Sequence, residues 1–70
     1  MKTTMYQVTT YPADKSDEFT HYVELDDDIT EKELHAIFEE IALRDWGRGA
    51  TREVITVDLD WVYDMGFDVE

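Results

Sequence analysis

The sequence predicts a single α+β domain: a small, mostly antiparallel sheet in the order strand, strand, helix, strand, with one helix packed on one face and a possible short C-terminal edge strand. Three observations carry that expectation. Stretches toward both ends of the chain alternate apolar and polar residues, as strands do. One central stretch repeats its apolar residues at helical spacing behind a capping box. Seventy residues without a cysteine leave room for one thin domain, residues 1–70, and no second one.

Thr3 to Tyr11 is rich in β-branched and aromatic residues and reads as the first strand. Pro12-Ala13-Asp14-Lys15-Ser16-Asp17 contains the only proline and the only serine and reads as a turn. From Phe19 to Leu25 the alternation is regular. Phe19, His21, Val23 and Leu25 fall on one face, and Thr20, Tyr22 and Glu24 on the other. Two strands joined by a short loop make an antiparallel hairpin.

Thr30-Glu31-Lys32-Glu33 then matches a capping box, with Ile29 and Leu34 as its hydrophobic staple. Leu34, Ile37, Phe38, Ile41 and Ala42 follow the spacing of one buried helix face. Gly47 and Gly49 supply the stop, and Arg44 and Arg48 suit the negative end of the helix dipole, so the helix is expected over about residues 31–45. From Arg52 to Tyr63 alternation returns. Ile55, Val57, Leu59, Trp61 and Tyr63 share one face of an expected strand, and Thr56, Asp58, Asp60 and Asp64 the other. The tail, Met65 to Glu70, either turns at Gly66 into a short edge strand or lies loose. The sheet face away from the helix is expected to meet solvent or a partner.

Composition narrows the function classes. Eighteen acids against six bases give a formal net charge of −12, yet 43% of residues are hydrophobic and aromatics are plentiful, which favours a folded chain over a disordered one. Without cysteine there is no disulfide and no thiolate-held zinc, and His21 and His35 are too few to replace one. Neither a signal-peptide run nor the ~20 apolar residues of a membrane helix occurs, so a soluble protein of the cytoplasm (host cytoplasm, were it phage-encoded) is the expectation.

The charge is also segregated. Residues 1–16 carry a net +1, residues 17–43 a net −9 with Lys32 as the one base, residues 44–52 a net +2, and residues 53–70 a net −6 with no base at all. Direct binding to nucleic acid would oppose this field. A basic partner would suit it, because acids spaced along a strand or helix approach the spacing of phosphates along a nucleic-acid strand. The expected partner-binding residues are Tyr22, Glu24, Asp26, Asp27 and Asp28, with Asp58, Asp60 and Asp64 on the last strand; Glu33, Glu39 and Glu40 form a second possible face. Tyrosine among acids points to protein contact rather than hydration alone.

The same acids and histidines lack the patterns of catalytic or metal-binding sites. Asp26-Asp27-Asp28 lacks the glycine and distal glutamate of a calcium loop, and its place before a helix start is explained by the dipole. Asp58-x-Asp60 follows from strand alternation. His21 is expected to be hydrogen-bonded and partly buried, His35 exposed, and Trp46 and Trp61 at the core or its edge. Gly47-Arg48-Gly49 reads as a helix stop, not a phosphate loop. No metal, cofactor or catalytic residue is therefore expected. The arginines 44, 48 and 52 cap the helix, pair with the chain's own acids, or touch a partner.

In size, acidity and absence of any enzyme motif, the chain resembles the small acidic proteins that phages make against host machinery: anti-CRISPR and anti-restriction proteins and inhibitors of host polymerases. The resemblance is to a class, rests on whole-chain properties and transfers no residue roles. It implies a non-enzymatic inhibitor that covers the basic surface of a nucleic-acid-binding protein or complex; the chain itself is expected to be a monomer or a weak homodimer. The competing reading is a small assembly or dimerisation module that binds through its open sheet face, with the acids serving solubility.

Overall fold

A computed structural model describes residues 2–70. β1 (Thr3–Tyr11) lies at the centre of a three-stranded antiparallel sheet, between β2 (Phe19–Asp26) and β3 (Thr51–Val57). Both ladders run without a break, from Thr3↔Asp26 to Thr10↔Phe19 on one side and from Met5↔Val57 to Tyr11↔Thr51 on the other. The α+β architecture expected from the sequence is the one found. At the hairpin, Asp14 accepts hydrogen bonds from the Ser16 amide (3.1 Å) and hydroxyl (2.7 Å), and Lys15 takes the left-handed conformation that closes the turn.

α1 (Glu31–Trp46) starts and stops where its caps dictate. The Thr30 hydroxyl accepts from the Glu33 amide at 3.2 Å and donates to the Glu33 carboxylate at 2.8 Å. The box thus closes through its two side chains, where reach-back to the Thr30 amide was expected. At the other end the Gly47 amide donates to Leu43 O at 2.8 Å, with φ at +76°. The helix buries Phe38, Ile41 and Ala42 against Val8 of β1 and Val23 of β2, with Tyr6, Leu25, Leu34, Ile37 and Val54 packed around them. Tyr6 meets the Phe38 ring edge-on at 5.3 Å.

The last expected strand is corrected. It ends at Val57, and α2 (Leu59–Met65) follows at once. Asp58 stays extended and its carboxylate accepts the Asp60 amide at 3.0 Å, so it caps a helix instead of lining a strand. Gly66, left-handed at φ +77°, ends that helix. The second sheet face, expected to be open, is covered over Met5, Gln7 and Tyr22 and stays open at Thr20, Glu53 and Ile55. α2 and the tail fold over the face that carries Gln7, Tyr22 and Glu24, and the Val62 side chain is wholly buried, as is Met5 on that face. Tyr22 stacks on Phe67 at 4.7 Å and meets Trp61 edge-on at 6.4 Å.

The tail then runs along the outer edge of β2. Val69 bridges Tyr22 in parallel, and the Glu70 amide donates to Tyr22 O at 2.8 Å. The result is three layers, α1 over the sheet over α2, in a slab of 37 × 28 × 15 Å. A body so thin has a core one side chain deep, which is why few residues are fully enclosed.

Candidate interaction surface

Acids from β2 and the turn after it border the region beside the start of α1, with Glu24 and Asp26 on the sheet face away from that helix. Glu24, Asp26 and Asp28 come from the strand and turn, Glu33 from the first helical turn, and together with Leu25 and Ile29 they surround an open hollow of about 470 Å³. Local hydrogen bonding fixes the turn. The Asp27 amide donates to Lys2 O at 3.0 Å, the Ile29 amide to Asp26 O at 3.2 Å, and the Thr4 hydroxyl to the Asp27 carboxylate at 2.5 Å. Asp27 is therefore tied to β1, while Asp26 and Asp28 remain exposed and without side-chain partners among the described residues.

Glu24 is the best-anchored acid of the group. Its carboxylate accepts the Thr3 hydroxyl at 2.6 Å and also the Tyr63 hydroxyl from α2. Both donors favour the ionised form, Thr3 most, and hold its carboxyl below the usual glutamate range. Donation to Glu24 correspondingly pushes the Tyr63 phenol up. The hollow thus presents fixed negative charge, and the contact with Tyr63 ties it to α2.

The other expected residues divide. Tyr22 is half-buried under Phe67, and its hydroxyl donates to Gln7 Oε1 at 3.2 Å, so only part of the side chain can meet a partner. Asp58 and Asp60 are exposed, but they do not stand side by side on a strand; one caps α2 and the other lies in its first turn. Asp64 sits one turn further on. Of the second expected face, Glu33 joins the hollow, whereas Glu39 and Glu40 stay on the exposed side of α1. The eleven expected residues therefore form no continuous patch. Four of them converge.

Sequence reasoning missed a polar chain on the α1 side of the sheet. The Trp46 indole donates to the Thr10 hydroxyl at 3.0 Å, and that hydroxyl donates to Asp45 Oδ2 at 2.7 Å. His21 Nε2 lies 2.5 Å from Asp45 Oδ2 and its Nδ1 lies 2.6 Å from Glu70 Oε2, so each ring nitrogen faces a carboxylate. Arg44 completes the chain, donating to Glu70 Oε1 at 2.8 Å, and that carboxylate raises its basicity further. Trp46 also stacks on Phe19 at 4.4 Å. The only sequence signal was His21 on the apolar side of β2. Among the described residues no group of three or more His, Asp or Glu side chains is placed to hold a metal ion.

No protein-family model matches the chain, and neither the curated proteins nor the solved structures yield a match.

Proposed function

We propose that this chain is a non-enzymatic acidic binding protein that inhibits a nucleic-acid-binding protein or complex by occupying its basic surface. The observation that carries the reading is the convergence of Glu24, Asp26, Asp28 and Glu33 around one open hollow, drawn from a strand, a turn and a helix. A chain that needed acids only for solubility could scatter them and avoid the mutual repulsion, which weighs on a thin domain. Here they gather, with Glu24 kept ionised by two hydroxyl donors. Carboxylates so grouped offer Arg and Lys side chains the acceptors that phosphates would.

The mimic and its target are tested together by affinity capture of the tagged chain from a bacterial lysate at low salt, with release attempted by duplex DNA and, separately, by salt. Recovery of a nucleic-acid enzyme or effector complex that DNA displaces is the expected result. Because Asp58 caps α2, its replacement would disturb folding, so the charge test belongs at the hollow. Asp26→Lys with Asp28→Lys should abolish capture while leaving the circular dichroism spectrum unchanged; retention of the target by that variant would refute the assignment.

The second reading, an assembly subunit, draws on the exposure of Ile55, Trp61, Tyr63 and Met65. It predicts a partner held through apolar contacts and indifferent to salt, whereas a charge mimic releases as screening shortens from ~10 Å at 0.1 M toward ~3 Å at 1 M.

A further inference from the structure

The sheet has two edges, and the chain treats them differently. The outer edge of β2 takes the tail, through the Val69 bridge and the Glu70 amide. The outer edge of β3 has no backbone partner among the described residues. Its sequence is lightly guarded, with Arg52 and Glu53 as its two charged residues. Thr51-Arg52-Glu53-Val54-Ile55-Thr56-Val57 contains no proline, lysine or glycine, and its unbroken register with β1 leaves no bulge to twist it away. Five of those seven residues are β-branched, the composition that most favours further pairing. Of the devices that blunt an edge in stable monomers, only charge is present here, as one Arg and one Glu of opposite sign that a second strand can pair.

Charge indicates what covers it. At the β3 edge and the loop that leads into it, Arg48 and Arg52 balance Glu53 and Asp58, so this edge escapes the acidity of the rest of the chain. A basic partner drawn to the acidic hollow gains nothing here. Two copies of the chain, each at −12, would repel least at this edge.

We infer that β3 pairs antiparallel with β3 of a second copy about a two-fold axis at Ile55, joining the two sheets into one of six strands. Register follows from charge and face. Residues paired across a two-fold ladder share a face, so the axis passes through one residue and its twin. An axis at Arg52 or Glu53 would set like charges opposite each other. An axis at Ile55 sets Ile55 on Ile55, Val54 on Thr56 and Glu53 on Val57, and brings Arg52 opposite Asp58 of the second copy. Asp58 is extended (φ −70°, ψ 120°) and continues the line of the strand. Arg52 has no ion-pair partner within the chain among the described residues. Ile55, 55% exposed in the single chain, is covered by its twin. The pairing goes beyond inhibitor function and does not depend on it.

Analytical ultracentrifugation of the full chain over a concentration series is the test. A species of twice 8.3 kDa is expected to grow with concentration. It should form at least ~10-fold more tightly in 0.5 M than in 0.05 M salt, because screening relieves the repulsion between two acidic chains. Ile55→Lys, a change at an exposed side chain, should leave the spectrum of the monomer intact and abolish the dimer. The absence of cysteine allows a check of register. Twinned Ile55→Cys residues would lie ~4.5–5.5 Å apart between Cα atoms, within disulfide range, and should cross-link under oxidised glutathione. Glu53→Cys twins would be four residue steps out of register, ~13 Å apart, and should not. A single 8.3 kDa species at every concentration would overturn the proposal. So would a dimer indifferent to Ile55→Lys, or cross-linking of Glu53→Cys as fast as Ile55→Cys.

Discussion

Replacing His21 with alanine removes the one residue that joins β2, α1 and the tail. Its ring is 20% exposed and its contacts with Asp45 and Glu70 measure 2.5 and 2.6 Å. A hydrogen bond to a charged group contributes about 1.5–3 kcal/mol when sheltered. The Asp45 contact qualifies, since that carboxylate is 9% exposed and without His21 would keep only the Thr10 hydroxyl. The Glu70 contact, 38% exposed, is discounted to about 0–1 kcal/mol. Together they come to about 2–4 kcal/mol, against a total of roughly 4–10 kcal/mol for a domain of this length. At about 4–8 °C per kcal/mol, the midpoint should fall by about 10–25 °C. Urea and thermal unfolding, followed by far-ultraviolet circular dichroism and by the emission of Trp46 beside the network, measure the loss directly. Glu70→Gln, which spares Asp45, should cost less than about 1 kcal/mol. A loss below about 0.5 kcal/mol for His21→Ala, or an equal loss for both variants, would show that the sheltered Asp45 contact does not hold the layers together.

Two further outcomes follow from single positions. Gly49→Ala forces a left-handed backbone (φ +85°) on a residue with a Cβ and sets that atom 2.9 Å from the Ala13 side chain, so chemical denaturation should show a loss of about 2–4 kcal/mol; a loss under about 1 kcal/mol would mean the two loops separate freely. Glu24, whose folded carboxyl lies below the usual range, contributes stability that is complete above its unfolded value and is lost as pH falls through the lower folded one. The stability difference between wild type and Glu24→Gln should therefore be constant above about pH 5 and shrink steadily below about pH 4; a difference unchanged between pH 6 and pH 3 would exclude the Thr3 and Tyr63 donors as its cause.

How far the sequence reached depended on whether the deciding interaction was local. β1 is bounded as expected, because Thr3 to Tyr11 is dense in strand formers and Pro12 ends it. The assignment of Phe19, His21 and Val23 to the core side of β2 rests on simple alternation and holds, as Val23, the Trp46 stack and the Asp45 contact attest. α1 announced itself through Thr30 and Glu33. The segment from Asp58 onward misled because Leu59, Trp61 and Tyr63 alternate while Leu59 and Val62 also lie three apart, so the short run satisfies both periods. The choice was made by Asp58 acting as a cap and by Val62 finding a buried place on the far side of the sheet. Likewise, composition supplied the acids but not their grouping. Glu24 and Glu33 border one hollow because β2 runs directly into the turn before α1, whereas Asp58 and Asp60 are not among its lining once the strand becomes a helix.

The central position of β1 has a consequence for how the chain assembles. Its first partner, β2, is close in sequence, with Thr10 beside Phe19 across a short turn. Its second is distant: Tyr11 must find Thr51, and Met5 must find Val57, after all of α1 has been made. Closing that larger loop costs more chain entropy before its contacts form, so on this ground the hairpin is expected before the addition of β3. On a ribosome, β1 would wait with one side unsatisfied until β3, beyond β2 and all of α1, had followed. During that interval Met5 and Val8, later among the most deeply enclosed side chains, would be the surface that a chaperone meets.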